Sequence, residues 1–216
     1  MRALVVYCHP SEGSFTAAVR DLVLAHLSRA GAEVRLRDLY AEGFGAALSA
    51  AEWQGYEDSD LNRDPVAGHV DDLLWCDTLI FIYPTWWYGL PAVLKGWLDR
   101  TLLPGVAFHL PQEGKVITRG LQHISRLGVF TSCGASWWLS FMVGQPGRRT
   151  ILRGVRYLCA PRCRTAFAAH YLMDSSTEAS RAAHLARVAG AMARLTGPVR
   201  DVSSTHALCD KKKSTP

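Results

Sequence analysis

The stretch TLIFIYPTWWYGLP at residues 78–91 carries the strongest structural signal in the chain. Its first part, Thr78–Tyr83, is almost continuously apolar, which is typical of a parallel strand that is buried on both faces. The loop that follows contains three adjacent aromatic residues, and Pro84 and Pro91 restrict its backbone at both ends. A helix is predicted to begin at Pro91. A buried strand, a restricted loop and a helix in succession indicate an α/β unit.

The same alternation of strand and helix recurs along the rest of the chain. Apolar or alternating runs predict the other strands, and capping residues mark where helices begin. About five such units predict one α/β domain over residues 1–196, with a parallel sheet. Residues 197–216 are predicted to form a mobile tail. The predicted strands are 2–7, 33–38, 78–83, 124–131 and 166–172; the predicted helices are 15–30, a short one with a capping box at Ser49 and Glu52, 64–76, 91–103, 148–158, and one from a capping box at Ser175 and Glu178 to residue 195.

Composition excludes several classes of protein. Of the 216 residues, 49% are hydrophobic and 20% charged, which is near the average of globular domains and argues against disordered, collagen-like and coiled-coil chains. No apolar run approaches the ~20 residues of a membrane span, and residues 3–7 are too short a run for a signal peptide. The cysteines have no CxxC or framework spacing, and Cys159 and Cys163 lack a second pair with metal-ligand spacing. A cytoplasmic protein without a metal site is predicted.

The net charge of +5 is distributed unevenly along the chain. Residues 114–173 contain nine Lys or Arg residues and no Asp or Glu. A stretch of one sign favours an anionic partner, of which phosphate is the commonest; a solvated basic surface balanced by acids from elsewhere in the fold is the alternative. Nucleic acid is not a predicted partner, because the basic residues follow no recognition motif.

Loops at one edge of the predicted sheet are candidates for a site. In doubly wound sheets the ligand lies beyond the carboxyl ends of the strands, where the strand order reverses. For the order 2-1-3-4-5 this point lies between the first and third strands. The loops to consider are residues 9–14, 84–89 and 131–134. The first combines small and hydroxyl residues with His9 directly before a helix, which is typical of an anion site. Ordinary capping by Ser14 and a structural His9 are the alternative, and neither a P-loop nor a dinucleotide fingerprint is present.

The second loop places Trp86, Trp87 and Tyr88 where loops are normally exposed. A flat ligand would cover these rings, and their faces suit a planar, electron-poor ring system. Packing against a helix or a partner subunit is the alternative. The third loop, residues 131–134, has small residues that allow a ligand to approach the backbone closely. Together the three loops suit a flavin better than adenine alone.

Four stretches form a pattern that extends beyond these loops. They are His9-x-Ser11-x-x-Ser14-Phe15, Glu33-Val34…Asp38-Leu39-Tyr40, Pro84-x-x-Trp87-Tyr88-Gly89-Leu90-Pro91-Ala92 and Leu94-Lys95-Gly96-Trp97-Leu98-Asp99-Arg100. This pattern resembles the flavin-dependent NAD(P)H:quinone oxidoreductase family, the DT-diaphorase-like members of the flavodoxin-like superfamily. The third and fourth stretches are its most specific part. The resemblance implies a flavodoxin-like three-layer sandwich, in which a five-stranded parallel sheet of order 2-1-3-4-5 has helices on both faces.

The resemblance also implies a bound flavin, FMN or FAD. FMN is favoured because the chain lacks the long C-terminal extension of mammalian members. The first loop would hold the flavin phosphate, the second would lie along the isoalloxazine, and the third would contact the ring edge. The cofactor-binding residues implied in this way are His9, Ser11, Ser14, Phe15, Thr16, Pro84, Thr85, Trp86, Trp87, Tyr88, Gly89, Thr131, Ser132, Cys133 and Gly134.

The implied activity is a ping-pong cycle in which NAD(P)H delivers hydride to the flavin and a quinone or similar acceptor then takes two electrons. A homodimer with active sites at the subunit interface is also implied. No catalytic residue is assigned, because Trp137 and Trp138 stand where better-known members have Tyr and His. Arg148 and Arg149 are candidate contacts for the dinucleotide phosphate. Two alternatives stay open: a flavin-bearing regulatory or electron-carrier partner, such as a potassium-efflux ancillary subunit, and a flavin-free protein that binds an anion.

Overall fold

The computed structural model describes residues 1–59, 61–111 and 116–197 of the chain. Its strands, in chain order, are β1 (Arg2–Tyr7), β2 (Glu33–Asp38), β3 (Thr78–Thr85), β4 (Phe108–His109), β5 (Thr118–Arg119), β6 (Arg126–Cys133) and β7 (Arg164–His170). Five of them form a parallel sheet of order β2-β1-β3-β6-β7, which confirms the predicted order 2-1-3-4-5. β4 and β5 pair as a small antiparallel ribbon that the sequence did not predict. The predicted tail, except Gly197, lies outside the described residues, as do Gly114 and Lys115 of the basic stretch.

Helices cover both faces of the sheet. In chain order they are α1 (Phe15–Arg29), α2 (Ala50–Gln54), α3 (Ala67–Trp75), α4 (Ala92–Thr101), α5 (Trp137–Met142), α6 (Pro146–Arg149), α7 (Arg156–Leu158) and α8 (Glu178–Thr196). Single 3-10 turns, Asp64–Val66 and Met173–Ser175, precede α3 and α8, and a π-helix, Thr150–Val155, joins α6 to α7. α1 and α8 pack on one face, while α3, α4 and the π-helix pack on the other.

The core explains why the central strand is continuously apolar. Successive side chains of a strand point to opposite faces of the sheet. Phe81 packs with α3 and α4, whereas its neighbours Ile80 and Ile82 pack with α1 and α8. All three side chains are fully buried. A strand covered on both faces has no polar side, which confirms the interpretation of residues 78–83.

β3 is longer than predicted, because it continues through Pro84 to Thr85 beside β6. The Ile82 carbonyl accepts from the Cys8 amide at 3.0 Å, so the backbone polar groups of Ile82 point toward β1. The backbone nitrogen of Pro84, two residues later, points toward the same side of the strand. β1 ends at Tyr7, so no strand residue of the described chain lies beside Pro84 on that side. Proline therefore loses no ladder hydrogen bond here. The prediction that the loop begins at Pro84 is wrong, and the chain leaves the strand only at Trp86.

The start of α8 also differs from the prediction. Thr177 is the N-cap: its hydroxyl accepts from the Ser180 amide at 3.1 Å, and Ser180 Oγ accepts from the Thr177 amide at 3.0 Å. The predicted capping box at Ser175 and Glu178 is wrong. Ser175 is held in the preceding 3-10 turn, where its amide donates to the Leu172 carbonyl at 3.2 Å.

Three smaller differences concern the second half of the chain. β6 begins and ends two residues later than predicted, and β7 begins and ends two residues earlier. β7 stops before Leu172 because that residue has a φ of 55°, which breaks the extended backbone. The short helix α5 was not predicted, although Ser136 caps it by accepting from the Leu139 amide.

Candidate functional site

The loop between β1 and α1 positions the ring of His9. His9 Nδ1 lies 3.0 Å from the Ser11 amide nitrogen and 3.1 Å from the Ser11 carbonyl oxygen, so the backbone of Ser11 holds the ring in place. Burial lowers the pKa of His9, which favours the neutral form. Nε2 has no hydrogen-bond partner in the part of the chain that the structure describes. The Nε2 atom of His9 is therefore available to a ligand.

The start of α1 offers hydrogen-bond donors. Ser14 Oγ accepts from the Ala17 amide at 3.1 Å, which confirms Ser14 as the N-cap and leaves its hydroxyl hydrogen free to donate. Among the described residues the Phe15 and Thr16 amides have no backbone partner, although Thr16 is only 4% exposed. Unpartnered amides at the positive end of a 15-residue helix favour an anion. Capping and anion binding by this loop are thus compatible.

Arg20 pairs with an acidic side chain beside these donors. The carboxylate of Glu12 lies in the loop and would repel an anion. Arg20 Nη1 lies 2.9 Å from Glu12 Oε2, and the guanidinium stands 4.7 Å from the centre of the Tyr7 ring. Arg20 Nε also lies 2.9 Å from Asp21 Oδ1, so Arg20 offsets only part of the acidic charge near the helix start.

The second loop closes in a tight turn at residues 86–89. The Gly89 amide donates to the Trp86 carbonyl at 2.9 Å, and Trp87 and Tyr88 between them have φ angles of 48° and 62°. The left-handed region costs about 1–2 kcal/mol for a residue with a side chain. Trp87 is 95% exposed and Trp86 is 41% exposed, whereas Tyr88 lines a cleft. No ring stacking joins the three aromatics in the described residues, so their common action on a flat ligand stays a prediction.

Side chains of the third loop alternate between the faces of the sheet. Thr131 faces the same cleft as Thr85, and their hydroxyl oxygens lie 2.8 Å apart. Cys133 faces the cleft too, and its Sγ lies 3.6 Å from Ser140 Oγ. Ser132 lies on the opposite face, beside Phe15 and Thr16 of α1. At Gly134 a Cβ would lie 2.7 Å from Asp174 Oδ2, so a side chain there would require Asp174 to shift.

A small cleft connects the second and third loops to β7. It holds about 30 Å³, so it accommodates the edge of a planar ring and not a whole ring. Gln145 Nε2 donates to Tyr171 Oη at 3.1 Å, and Arg148 Nη1 donates to Gln145 Oε1 at 2.8 Å. Burial raises the pKa of Tyr171, so its phenol stays protonated at neutral pH. The lining residues are Tyr83, Thr85, Tyr88, Thr131, Cys133, Ser140, Gln145, Arg148, Phe167, Ala169 and Tyr171.

Gln145 and Tyr171 are the polar residues that sequence reasoning missed. Tyr171 follows β7 directly, at the same carboxyl edge of the sheet as the three loops, and this position was the available signal. Gln145 precedes α6 with a φ of 49°, and no local pattern in the sequence indicates that conformation. α6 then reaches the aromatic turn, because a Cβ at Gly147 would lie 3.1 Å from the Gly89 carbonyl carbon.

The structure brings the three predicted loops to one edge of the sheet. Pro84 and Thr85 pair with Ser132 and Cys133, and Phe15 and Thr16 share a small pocket with Thr131. Among the described residues no group of His, Cys, Asp and Glu has the arrangement needed to hold a metal ion. Across those same residues no helix is both long enough and apolar enough to span a bilayer.

Comparison with known proteins decides the family. A family model described as a flavodoxin-like fold matches residues 1–191. The chain belongs to this flavodoxin-like family. Among solved structures, this flavodoxin-like chain is similar to the NAD(P)H:quinone oxidoreductase from Methanothermobacter marburgensis, with 27% identity and a TM-score of 0.76. That likeness covers 92% of this chain and 98% of the other.

Two curated relatives are similar to the flavodoxin-like chain over part of its length. An uncharacterized NAD(P)H oxidoreductase of Haemophilus influenzae is 37% identical over 109 residues, and a ribosyldihydronicotinamide dehydrogenase (quinone) of Pongo abelii is 32% identical over 127 residues. These matches include 50% and 51% of this chain. They span 54% of each relative, so the chain matches about half the length of these proteins.

Proposed function

We propose that this protein binds a flavin and uses it to pass a hydride from NAD(P)H to a quinone or a similar two-electron acceptor. The observation that carries the proposal is the meeting of an anion-binding helix start with a ring-edge cleft at the carboxyl edge of the sheet. The names of the Methanothermobacter structure and of the Haemophilus relative support NAD(P)H as the reductant, whereas the Pongo relative is named for ribosyldihydronicotinamide. The names of the Methanothermobacter structure and of the Pongo relative include quinone as the acceptor.

The donors at the start of α1 suit the flavin phosphate. His9 Nε2, the Ser14 hydroxyl and the Phe15 and Thr16 amides point to one end of the helix, where positive potential is concentrated. Ser11 orients His9 through its backbone. A phosphate bound there would accept hydrogen bonds from neutral donors and would be stabilised by the helix dipole. Its binding would therefore not depend on a lysine or arginine.

The ring system would lie against residues 84–88, with its edge toward Thr131–Gly134. The flavin supplies the hydride-accepting chemistry when it is bound. The chain orients the reactants and excludes water: Thr85 and Thr131 offer hydroxyls in the cleft, and Tyr171 offers a protonated phenol held by Gln145. A ping-pong cycle follows if the reductant and the acceptor use this one cleft in turn. FMN is the flavin used as the probe below.

Two identical subunits complete the proposed site. α5 exposes a cluster of apolar side chains next to the cleft, and Trp137 and Phe141 stack with ring centroids 5.4 Å apart. Exposed patches of this kind are typical of protein interfaces. A second copy of the chain is the occupant that the family resemblance implies.

The experiment that tests the function begins with the colour of the purified protein. Heat denaturation followed by chromatography identifies any released flavin. The flavin-saturated protein is then assayed for NADH and NADPH oxidation with a menadione-type acceptor. Bound FMN and turnover with the acceptor support the proposal. Colourless protein that does not take up FMN supports the anion-binding alternative, and flavin-saturated protein with negligible turnover supports a regulatory or electron-carrier partner.

A further inference from the structure

Four arginines line one groove beside the cleft. Arg148 and Arg149 belong to α6, Arg153 to the π-helix and Arg156 to α7. Their side chains are exposed, and the groove between them holds about 380 Å³. Over the eight residues from Arg148 to Arg156 a helix rises about 12 Å, so the groove offers an extended row of positive charge.

No carboxylate neutralises this row in the described part of the chain. None of the ion pairs there includes Arg148, Arg149, Arg153 or Arg156. Two of them are oriented by neutral acceptors instead: Arg148 donates to Gln145 Oε1, and Arg156 Nε donates to the Cys163 carbonyl at 3.3 Å. The alternative that acids from elsewhere in the fold balance the basic stretch therefore does not hold at this groove.

The groove and the cleft form one continuous surface. Gln145 and Arg148 line both of them. A ligand with its ring at the cleft would therefore extend its tail along the arginines. The π-helix that carries Arg153 is a rare element that is found frequently at functional sites.

We propose that this groove binds the phosphate groups of the reduced nicotinamide dinucleotide, and that Arg149 and Arg153 select NADPH through its 2′-phosphate. This inference rests on the proposed function. NADPH differs from NADH by one phosphate that carries about −1.5 to −2 charges at neutral pH. Arginine matches that group, because its planar guanidinium donates two parallel hydrogen bonds to phosphate oxygens. Arg148, which lines both the cleft and the groove, lies where the pyrophosphate that both dinucleotides share would pass.

Calorimetric titration of the full flavin-treated chain tests the groove without relying on turnover. The probes are adenosine 2′,5′-bisphosphate and adenosine 5′-monophosphate, which differ only in the 2′-phosphate. We expect the bisphosphate to bind at least about tenfold more tightly, because each hydrogen bond between charged groups contributes about a tenfold factor. Arg149→Gln and Arg153→Gln should each reduce that ratio about tenfold or remove it. Arg29→Gln, an exposed arginine of α1 with the same change in charge, should leave it unchanged.

Steady-state kinetics provide the second readout. In Arg153→Gln the KM for NADPH should rise about tenfold while the KM for NADH stays the same. The groove assignment is overturned if the two probes bind with equal affinity, even if NADH turnover is intact. It is also overturned if the variants keep the ratio of the two probe affinities. Loss of the ratio in a protein that oxidises neither dinucleotide supports the groove and rejects the proposed function. Dissociation of a dimer by these variants with the ratio unchanged assigns the arginines to a subunit contact and overturns the inference.

Discussion

Trp87 and Tyr88 hold positive φ angles in the turn that follows β3. Strain of this kind persists only where the surrounding structure enforces it, and it is concentrated at functional sites. Here the Gly89 amide closes the turn, and Gly147 of α6 approaches Gly89 too closely to carry a side chain without displacement. The turn is fixed by its neighbours, and it presents Trp87 as an almost fully exposed ring.

Replacing Trp87 with alanine should separate flavin binding from stability. Because the ring is 95% exposed, we expect the free energy of unfolding to change by no more than about 0.5 kcal/mol. Flavin affinity should fall by about 1–3 kcal/mol, the range found for aromatic platforms under planar bases. Fluorescence titration of the apoprotein with FMN measures this. Trp53→Ala, an exposed tryptophan of α2, is the control and should not alter affinity; the platform is rejected if both variants bind FMN like the parent.

Ser14 combines two roles that a matched substitution can separate. Ser14→Ala removes the α1 cap and should lower the free energy of unfolding by about 1 kcal/mol, and it should also weaken FMN binding through the lost hydroxyl donor. Ser136→Ala removes the corresponding cap of α5, which accepts from the Leu139 amide at 3.2 Å. Urea denaturation and FMN titration are compared for both. Equal losses of stability with no loss of affinity in Ser14→Ala would leave Ser14 only as a cap.

At the scale of elements, the structure of α4 shows the role of the stretch Leu94–Arg100, which carries part of the family resemblance. Trp97 is fully buried, and its indole Nε1 donates to His69 Nδ1 at 3.2 Å. Gly96 lies where the backbone of Ala46 passes directly over the helix. Arg100 donates to the Gly45 carbonyl at 2.6 Å and holds the same segment. The stretch from Leu94 to Arg100 therefore fixes a long connection on α4 and is a packing motif, not a set of ligand contacts.

Gly96→Ala should be strongly destabilising for this reason. A Cβ there would overlap the Ala46 carbonyl oxygen, which belongs to backbone and cannot rotate away. We expect a loss of about 1–3 kcal/mol or more in the free energy of unfolding. Gly154→Ala is the control, because a Cβ at this position in the π-helix meets nothing within 4 Å, and it should be neutral or slightly stabilising. Thermal or urea denaturation showing similar stabilities for the two variants would contradict the close approach at α4.

α8 contributes a buried histidine that makes stability depend on pH. His184 is fully buried, and burial lowers its pKa to about 4, with Arg187 and His170 adding to the effect. Between pH 6.5 and 4 the unfolded chain binds a proton at this residue that the folded chain does not. Stability is therefore complete above about pH 6.5 and is lost as the pH falls toward 4, by up to about 3 kcal/mol from this group.

The His184→Phe variant tests that linkage through a slope and not through absolute stability. Urea midpoints measured from pH 7 to pH 5 should fall less steeply in the variant than in the parent. A residual slope is expected from His69, whose pKa burial also lowers to about 4. His109→Gln, at an exposed position, should retain the full slope. An unchanged slope in His184→Phe would show that His184 is already protonated or exposed in the folded protein.

At the scale of the whole molecule, the exposed apolar side chains of α5 form the surface where we propose that a second copy binds. Phe141 is 51% exposed and stacks with Trp137, which is 55% exposed. Phe141→Asp introduces a charge into this patch and should convert a dimer into monomers, because an unpaired charge at an interface is strongly unfavourable. Sedimentation velocity measures the change, and Trp53→Asp on α2 is the control. A parent protein that is monomeric at all concentrations would reject the dimer.

The sequence by itself determined the central strand, because a strand covered on both faces is apolar at every position, and the start of α1, because its first turn has a capping side chain. Residues 78–83 and Ser14 needed only these local rules. The tertiary structure decided what depends on contacts between distant segments. Pro84 joins β3 because β1 ends beside it, and Gln145 and Tyr171 meet in the cleft because α6 and β7 converge there. The residues around the four arginines of the groove are also brought there by the packing of separate segments. The periodicity of the sequence does not encode that packing, so it could not show that no carboxylate pairs with these arginines in the described chain.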